Sequence, residues 1–179
     1  MKLIILLLTF SFSYSQKLSK KIILKDFYQI ESVVFISDID FSFSDKNFLK
    51  SLEPSLEELI DGEKFLFNNY YEFESKVNKH FKLKDEVPKK YKKPKRVVKK
   101  FKKHRRQYFG YINKNGDHIL RIHLLKPHKK HEYDDESWKE YMFFSSSTQF
   151  YLINLTQRKF IYKVVGLDEN GNPEELNTY

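Results

Sequence analysis

The sequence predicts an α+β domain in which N-terminal helices pack on a four-stranded antiparallel meander. Three observations lead there. Apolar residues recur at helical spacing in the first half, between residues 44 and 82. The second half carries β-branched and aromatic runs punctuated by Asn115-Gly116, a hairpin signal. The chain has 179 residues, of which 40% are hydrophobic and 17% aromatic, enough to bury one core.

The chain opens with Met1-Lys2, an apolar run over residues 3–12, and Ser13-Tyr14-Ser15. A basic start, a short apolar core and small residues where a signal peptidase reads make a secretory signal over residues 1–15, cut between Ser15 and Gln16. As a helix the apolar run rises only about 15 Å, roughly half of a bilayer's hydrocarbon thickness. The expected product is an exported protein, periplasmic or extracellular, with no transmembrane segment. The chain contains no cysteine, which excludes a disulfide scaffold, a thiol nucleophile and a thiolate metal site.

Residues 16–166 read as one α+β domain. Ile22-Ile23-Leu24 suits a strand or a helix, and Val33-Val34-Phe35-Ile36 a strand. Ile39, Phe41 and Phe43 alternate with polar residues as a short half-buried strand. Ser44 is a good N-cap, and Phe48, Leu52, Leu56, Leu59 and Ile60 follow at helical spacing. Pro54 interrupts them, so a kink or two short helices is expected, ending at Asp61-Gly62. A second helix is predicted over 69–82 and an exposed linker over 82–93. Pro94 suits a first helical turn, with Val97, Phe101, His104 and Tyr108 on one face. Strands are expected over 107–113 and 118–125, then over 141–154 and 158–165 after a polar loop at 127–140. Residues 167–179 read as a loose tail.

The formal net charge is +9. Setting aside Lys2 leaves +8. Segment 89–106 alone holds twelve Lys and Arg and no acid, so the rest of the mature chain carries −4. One basic segment on a mildly acidic domain points to a polyanionic partner. Anionic lipid, lipopolysaccharide and polyanionic glycan fit an exported chain, and export argues against nucleic acid. Within the basic linker and helix at 82–106, the anion-binding residues expected are Lys89, Lys90, Lys92, Lys93, Lys95 and Arg96, because a linker adapts more freely than a docked helix.

The stretch Arg105-Arg106-Gln107-Tyr108-Phe109-Gly110-Tyr111-Ile112-Asn113 resembles small secreted proteins of Bacteroidetes-type bacteria, which share R-Q-Y-x-G-Y-I-N running into a turn and a second strand. They tend to carry a serine-capped helix upstream, similar to residues 44–59. Where they have a Gly-rich approach to the last hairpin, this chain has Ser145-Ser146-Ser147. The resemblance implies export and a small α+β domain, and no known activity.

Recognised catalytic motifs are absent from the sequence, including G-x-S-x-G, H-E-x-x-H and the phosphate loop. His128 and His131 with Asp134, Asp135 and Glu136 offer metal-ligand chemistry, but Lys129 and Lys130 repel a cation, so a solvated loop is preferred. Asp38 and Asp40 share one face of a strand and read as the polar side of an edge. Arg121 and His123 project together and read as the solvent face of the sheet. Asn154-Leu155-Thr156 matches a glycosylation acceptor. Tyr108, Phe109, Tyr111, Phe143, Phe144, Phe150, Tyr151, Phe160 and Tyr162 suit core packing better than an exposed stacking surface.

The expected function is a non-catalytic envelope protein whose basic segment meets an anionic surface, with no cofactor and no metal. Two alternatives come from other classes. One is a hydrolytic or metal-dependent enzyme using Arg121, His123, Asp38 and Asp40 in a cleft at the sheet. The other is a protein-protein interaction module of the envelope.

Overall fold

A computed structural model describes residues 19–36, 47–126, 148–161, 164–167 and 173–175. It contains both helices and a mixed sheet, as an α+β chain should. Among the described residues the sheet has seven strands: β1 (Ser19–Ile22), β2 (Ser32–Phe35), β3 (Phe48–Leu52), β4 (Arg105–Asn113), β5 (His118–Leu125), β6 (Thr148–Asn154) and β7 (Lys159–Phe160). Their order is β1-β2-β4-β5-β6-β7, and β3 pairs with β4 beyond the end of β2.

The expected four-stranded antiparallel meander is therefore corrected. β4 to β7 do follow one another antiparallel, but β2 joins β4 in parallel through Val33↔Gln107 and Val34↔Tyr108. A pairing across about seventy residues leaves no trace in local periodicity, because a parallel neighbour needs a long crossover. A separate two-stranded ribbon pairs β8 (Val164–Leu167) with β9 (Pro173–Glu175), inside the stretch read as strand end and tail.

The helix pattern is also corrected. Phe48 to Leu52 is a strand, and one 25-residue helix, α1 (Leu56–His80), replaces the two short ones. Pro54 lies before the helix, where it holds the preceding residue extended. The cap is Ser55, not Ser44, which lies outside the described residues. Ser55 Oγ accepts from Glu58 N at 3.2 Å, and Glu58 Oε2 accepts from Ser55 N at 2.8 Å, a complete capping box. Asp61-Gly62 does not end the helix. Gly62 instead lets it approach the sheet, since a Cβ there would stand 2.3 Å from Leu120 Cδ2.

α2 (Pro94–Phe101) begins with its proline in the first turn and ends at Phe101. The expected face continuing through His104 and Tyr108 breaks there, because Arg105 already belongs to β4. The β4–β5 turn closes on Gly116 at φ +84°, and Asn113 N donates to Asp117 O at 3.0 Å. Only Gly116 of the Asn-Gly pair takes positive φ, giving a three-residue loop with a glycine bulge in place of a two-residue turn. Asp117 Oδ2 then accepts from Asn113, Asn154 and Gln157, joining the two hairpin ends.

The main core forms between the helices and one sheet face. It contains Leu59, Leu66, Phe67 and Tyr70 of α1, Val97 and Phe101 of α2, and Leu120, Ile122 and Leu124 of β5. Among the described residues, no helix is long and apolar enough to cross a membrane.

Candidate anion-binding site

The basic segment is built in two pieces. Lys89–Lys92 form a 3-10 turn, in which Tyr91 N donates to Pro88 O at 2.9 Å. Lys93 is extended, and α2 follows. Val97 and Phe101 anchor α2 in the core, which leaves Lys95, Arg96, Lys99, Lys102 and Lys103 exposed. Lys89, Lys90, Lys92 and Lys93 are exposed as well. None of Lys89, Lys90, Lys92, Lys93, Lys95 and Arg96 forms an ion pair with a described residue.

Aromatic rings fix the scaffold beneath these cations. Tyr70 meets Tyr91 and Phe101 edge-on, with centroids 5.8 and 5.4 Å apart. Lys100 is drawn inward, 4.6, 5.0 and 4.7 Å from the rings of Tyr70, Tyr91 and Phe101, and hydrogen-bonds the Tyr70 hydroxyl. Lys90 and Lys92 stand over Tyr91 and Tyr71 at 5.2 and 5.0 Å. An open concavity of ≈ 600 Å³ is lined by Lys92, Lys93, Pro94, Lys95, Arg96 and Lys99. Of the six residues expected from sequence, four therefore share a lining, and Lys99 joins them. Its signal was visible, since it lies one helical turn from Lys95.

Arg106 belongs to the same sequence run but not to the surface. It is fully buried. Its Nε lies 3.3 Å from Oε1 of buried Glu63, and its Nη1 donates to Phe101 O and His104 O. Its guanidinium stacks 4.2 Å from the Tyr28 ring centre. Tyr108 donates to the same Glu63 oxygen at 2.6 Å, and the Tyr28 and Tyr108 hydroxyls are 3.0 Å apart. Burial, then the Glu63 carboxylate, pushes the Tyr108 hydroxyl well above its ordinary range. One of the twelve cations thus neutralises an internal acid.

The sequence-derived alternatives fare differently. Arg121 and His123 are buried, which corrects the solvent-face reading. Arg121 Nε donates to His123 Nε2 at 2.7 Å, so the histidine is neutral, and Arg121 lies over Phe150 at 4.6 Å. Asp38, Asp40 and the 128–136 loop lie outside the described residues. Among the described residues no group of three metal-ligating side chains comes together. Asn154 is buried and donates to Asp117, so the glycosylation pattern is closed to a transferase in the folded chain. Tyr108, Phe109, Tyr111, Tyr151 and Phe160 are core, while Phe143, Phe144 and Tyr162 lie outside the described residues. The sequence did not single out the His118–Glu58 pair, whose Nδ1 and Oε1 are 2.6 Å apart. Burial works to raise the Glu58 carboxyl, but hydrogen bonds from His118 and Ser55 prevail and hold it low.

Two histidines make stability depend on pH. Burial, then the Arg106, Lys100 and Lys126 cations, pushes the His104 imidazole down to about 4. Burial, then Arg121, holds His123 well below its ordinary range. The unfolded chain takes up protons at these histidines near pH 6.5 and the folded chain does not, so stability falls as pH drops from about 6.5 toward 4. Urea midpoints measured between pH 7 and 5 should decline in the parent. The decline should be shallower in His104→Phe, and an equal slope would overturn this assignment.

No family model matches the chain. No curated protein and no solved structure matches it either.

Proposed function

We propose that this chain is an exported, non-catalytic protein of a bacterial envelope whose basic segment docks on an anionic surface of lipid headgroups, lipopolysaccharide or polyanionic glycan. The observation that carries the reading is a set of exposed cations. Lys89, Lys90, Lys92, Lys93, Lys95 and Arg96 stand outward on a helix and turn anchored by Val97, Phe101 and the Tyr70–Tyr91–Lys100 cluster. None of the six is ion-paired with a described residue, and exposed cations attract a polyanion at long range. The basic, apolar and small-residue pattern of residues 1–15 supports export, and so does the resemblance of the Arg105–Asn113 stretch to secreted proteins.

The test is salt-dependent binding. The parent should be retained on heparin resin and should sediment with vesicles containing phosphatidylglycerol. Converting the six cations to serine should lower the eluting salt and flatten the dependence of binding on salt, because fewer counterions are released. An unchanged elution profile would sink the reading.

A further inference from the structure

We propose that Lys92, Lys93, Lys95, Arg96 and Lys99 form a site for a bisphosphorylated group, that is, two phosphate monoesters carried on one small scaffold. The proposal rests on the anionic-surface reading above and names the anion that this surface selects.

Three observations support it. The first is the lining: five cations and one proline, with no acid among them. All five cations are exposed. The six residues favoured by sequence run from the 3-10 turn into the start of α2; Lys89 and Lys90 fall outside this lining, and Lys99 enters it. The second is preorganisation. Buried Val97 and Phe101 hold α2, and Lys100 ties it to Tyr70 and Tyr91. The spacing of Lys95, Arg96 and Lys99 is thus set by a helix before any ligand arrives, which lowers the cost of binding. The third is charge density. Five neighbouring cations repel one another until matched by comparable negative charge. A phosphate monoester carries about −1.5 to −2 near neutral pH, so two of them offset about three to four of the five positive charges. Carboxylates and phosphodiesters, at one charge each, do so poorly in the same space. Arg96 adds a planar fork suited to two phosphate oxygens at once.

A soluble sugar bisphosphate and a bisphosphorylated lipid headgroup present the same chemistry, so the experiment has two arms. In the first, the protein is titrated calorimetrically with fructose 1,6-bisphosphate and with glucose 6-phosphate. In the second, it is sedimented with phosphatidylcholine vesicles carrying phosphatidylinositol 4,5-bisphosphate or phosphatidylserine at equal total charge. A preference of about tenfold or more for the bisphosphate is expected in at least one arm. The arm that shows it assigns the source. Lys93→Ser/Lys95→Ser/Arg96→Ser/Lys99→Ser should lose that preference. A charge-matched control, Lys25→Ser/Lys50→Ser/Lys64→Ser/Lys114→Ser, alters exposed lysines elsewhere and should keep it. Arg96→Lys retains the charge without the fork and should weaken bisphosphate binding by about threefold, which keeps the test decisive if the quadruple variant unfolds. Equal affinity for mono- and bisphosphate in both arms, equal losses in the two quadruple variants, or an unaltered Arg96→Lys would each overturn the proposal. Salt-sensitive but unselective vesicle binding overturns this inference alone. An unchanged six-serine variant, which lacks four of the five lining cations, overturns the broader reading and this inference with it.

Discussion

Replacing Glu63 with alanine is expected to destabilise the fold by about 3–5 kcal/mol, read as a large drop in the urea midpoint at neutral pH. Glu63 and Arg106 are both fully buried at the junction of α1 and β4. Removing the carboxylate strands a guanidinium in a place water does not reach, and it also takes the acceptor from Tyr108. The loss is larger than deletion of a surface ion pair such as Arg158–Asp61, which is exposed on both sides and worth about 0–1 kcal/mol. Tyr108→Phe keeps the ion pair and should cost about 1 kcal/mol. Glu63→Leu/Arg106→Met removes both charges and should recover most of the loss, since an apolar replacement of similar volume often equals a buried pair. A double variant as unstable as Glu63→Ala would show that the network specifies the helix-on-sheet register in a way apolar packing cannot supply.

The same residues show what the sequence makes legible and what it hides. Arg106 counts as surface charge in any tally of segment 89–106. Its true position follows from the strand alternation, because Arg106 and Tyr108 lie opposite Leu124 and Ile122 in the β4–β5 register and so share the core-facing side. Arg121 and His123 lie on the other face, opposite Phe109 and Gln107, where burial also overrides their polarity. Local signals were enough where the interaction is local: Pro94 starts α2, Gly116 turns β4 into β5, and the exposed lysines of α2 follow from its period. They fail where a distant partner decides. Phe48 and Leu52 fit a helix by spacing, but the free edge of β4 takes them as a strand. The candidate site was legible as composition. Its grouping into one lining was not, because the lining depends on how the 3-10 turn meets α2.

Gly110→Ala is expected to lose about 3 kcal/mol, whereas Gly62→Ala should change stability by no more than about 1 kcal/mol. Both glycines sit where α1 or its lead-in meets the sheet, so the difference isolates what each neighbour can do. A Cβ on Gly110 would stand 2.5 Å from Leu52 O and 2.7 Å from Pro54 Cγ. Those are a backbone carbonyl and a rigid ring on the segment that carries β3 over into α1, so relief requires moving that segment or breaking the Leu52↔Gly110 pairing. A Cβ on Gly62 would stand 2.3 Å from Leu120 Cδ2 and 3.6 Å from Ile122 Cδ1, both the far ends of flexible side chains, which yield at lower cost than backbone, and alanine favours a helix interior over glycine. The contrast also decides what the R-Q-Y-x-G-Y-I-N stretch is for. Arg106 and Tyr108 make the buried network, Gly110 admits the crossing chain, Tyr111 joins a second apolar cluster with Ile119 and Leu152, and Asn113 sets the turn. Every one of these roles is architectural. Gly110→Ala should therefore lower the thermal midpoint while leaving vesicle and phosphate binding at parental strength below that midpoint. If affinity falls while stability holds, the stretch belongs to the ligand site and not to the fold.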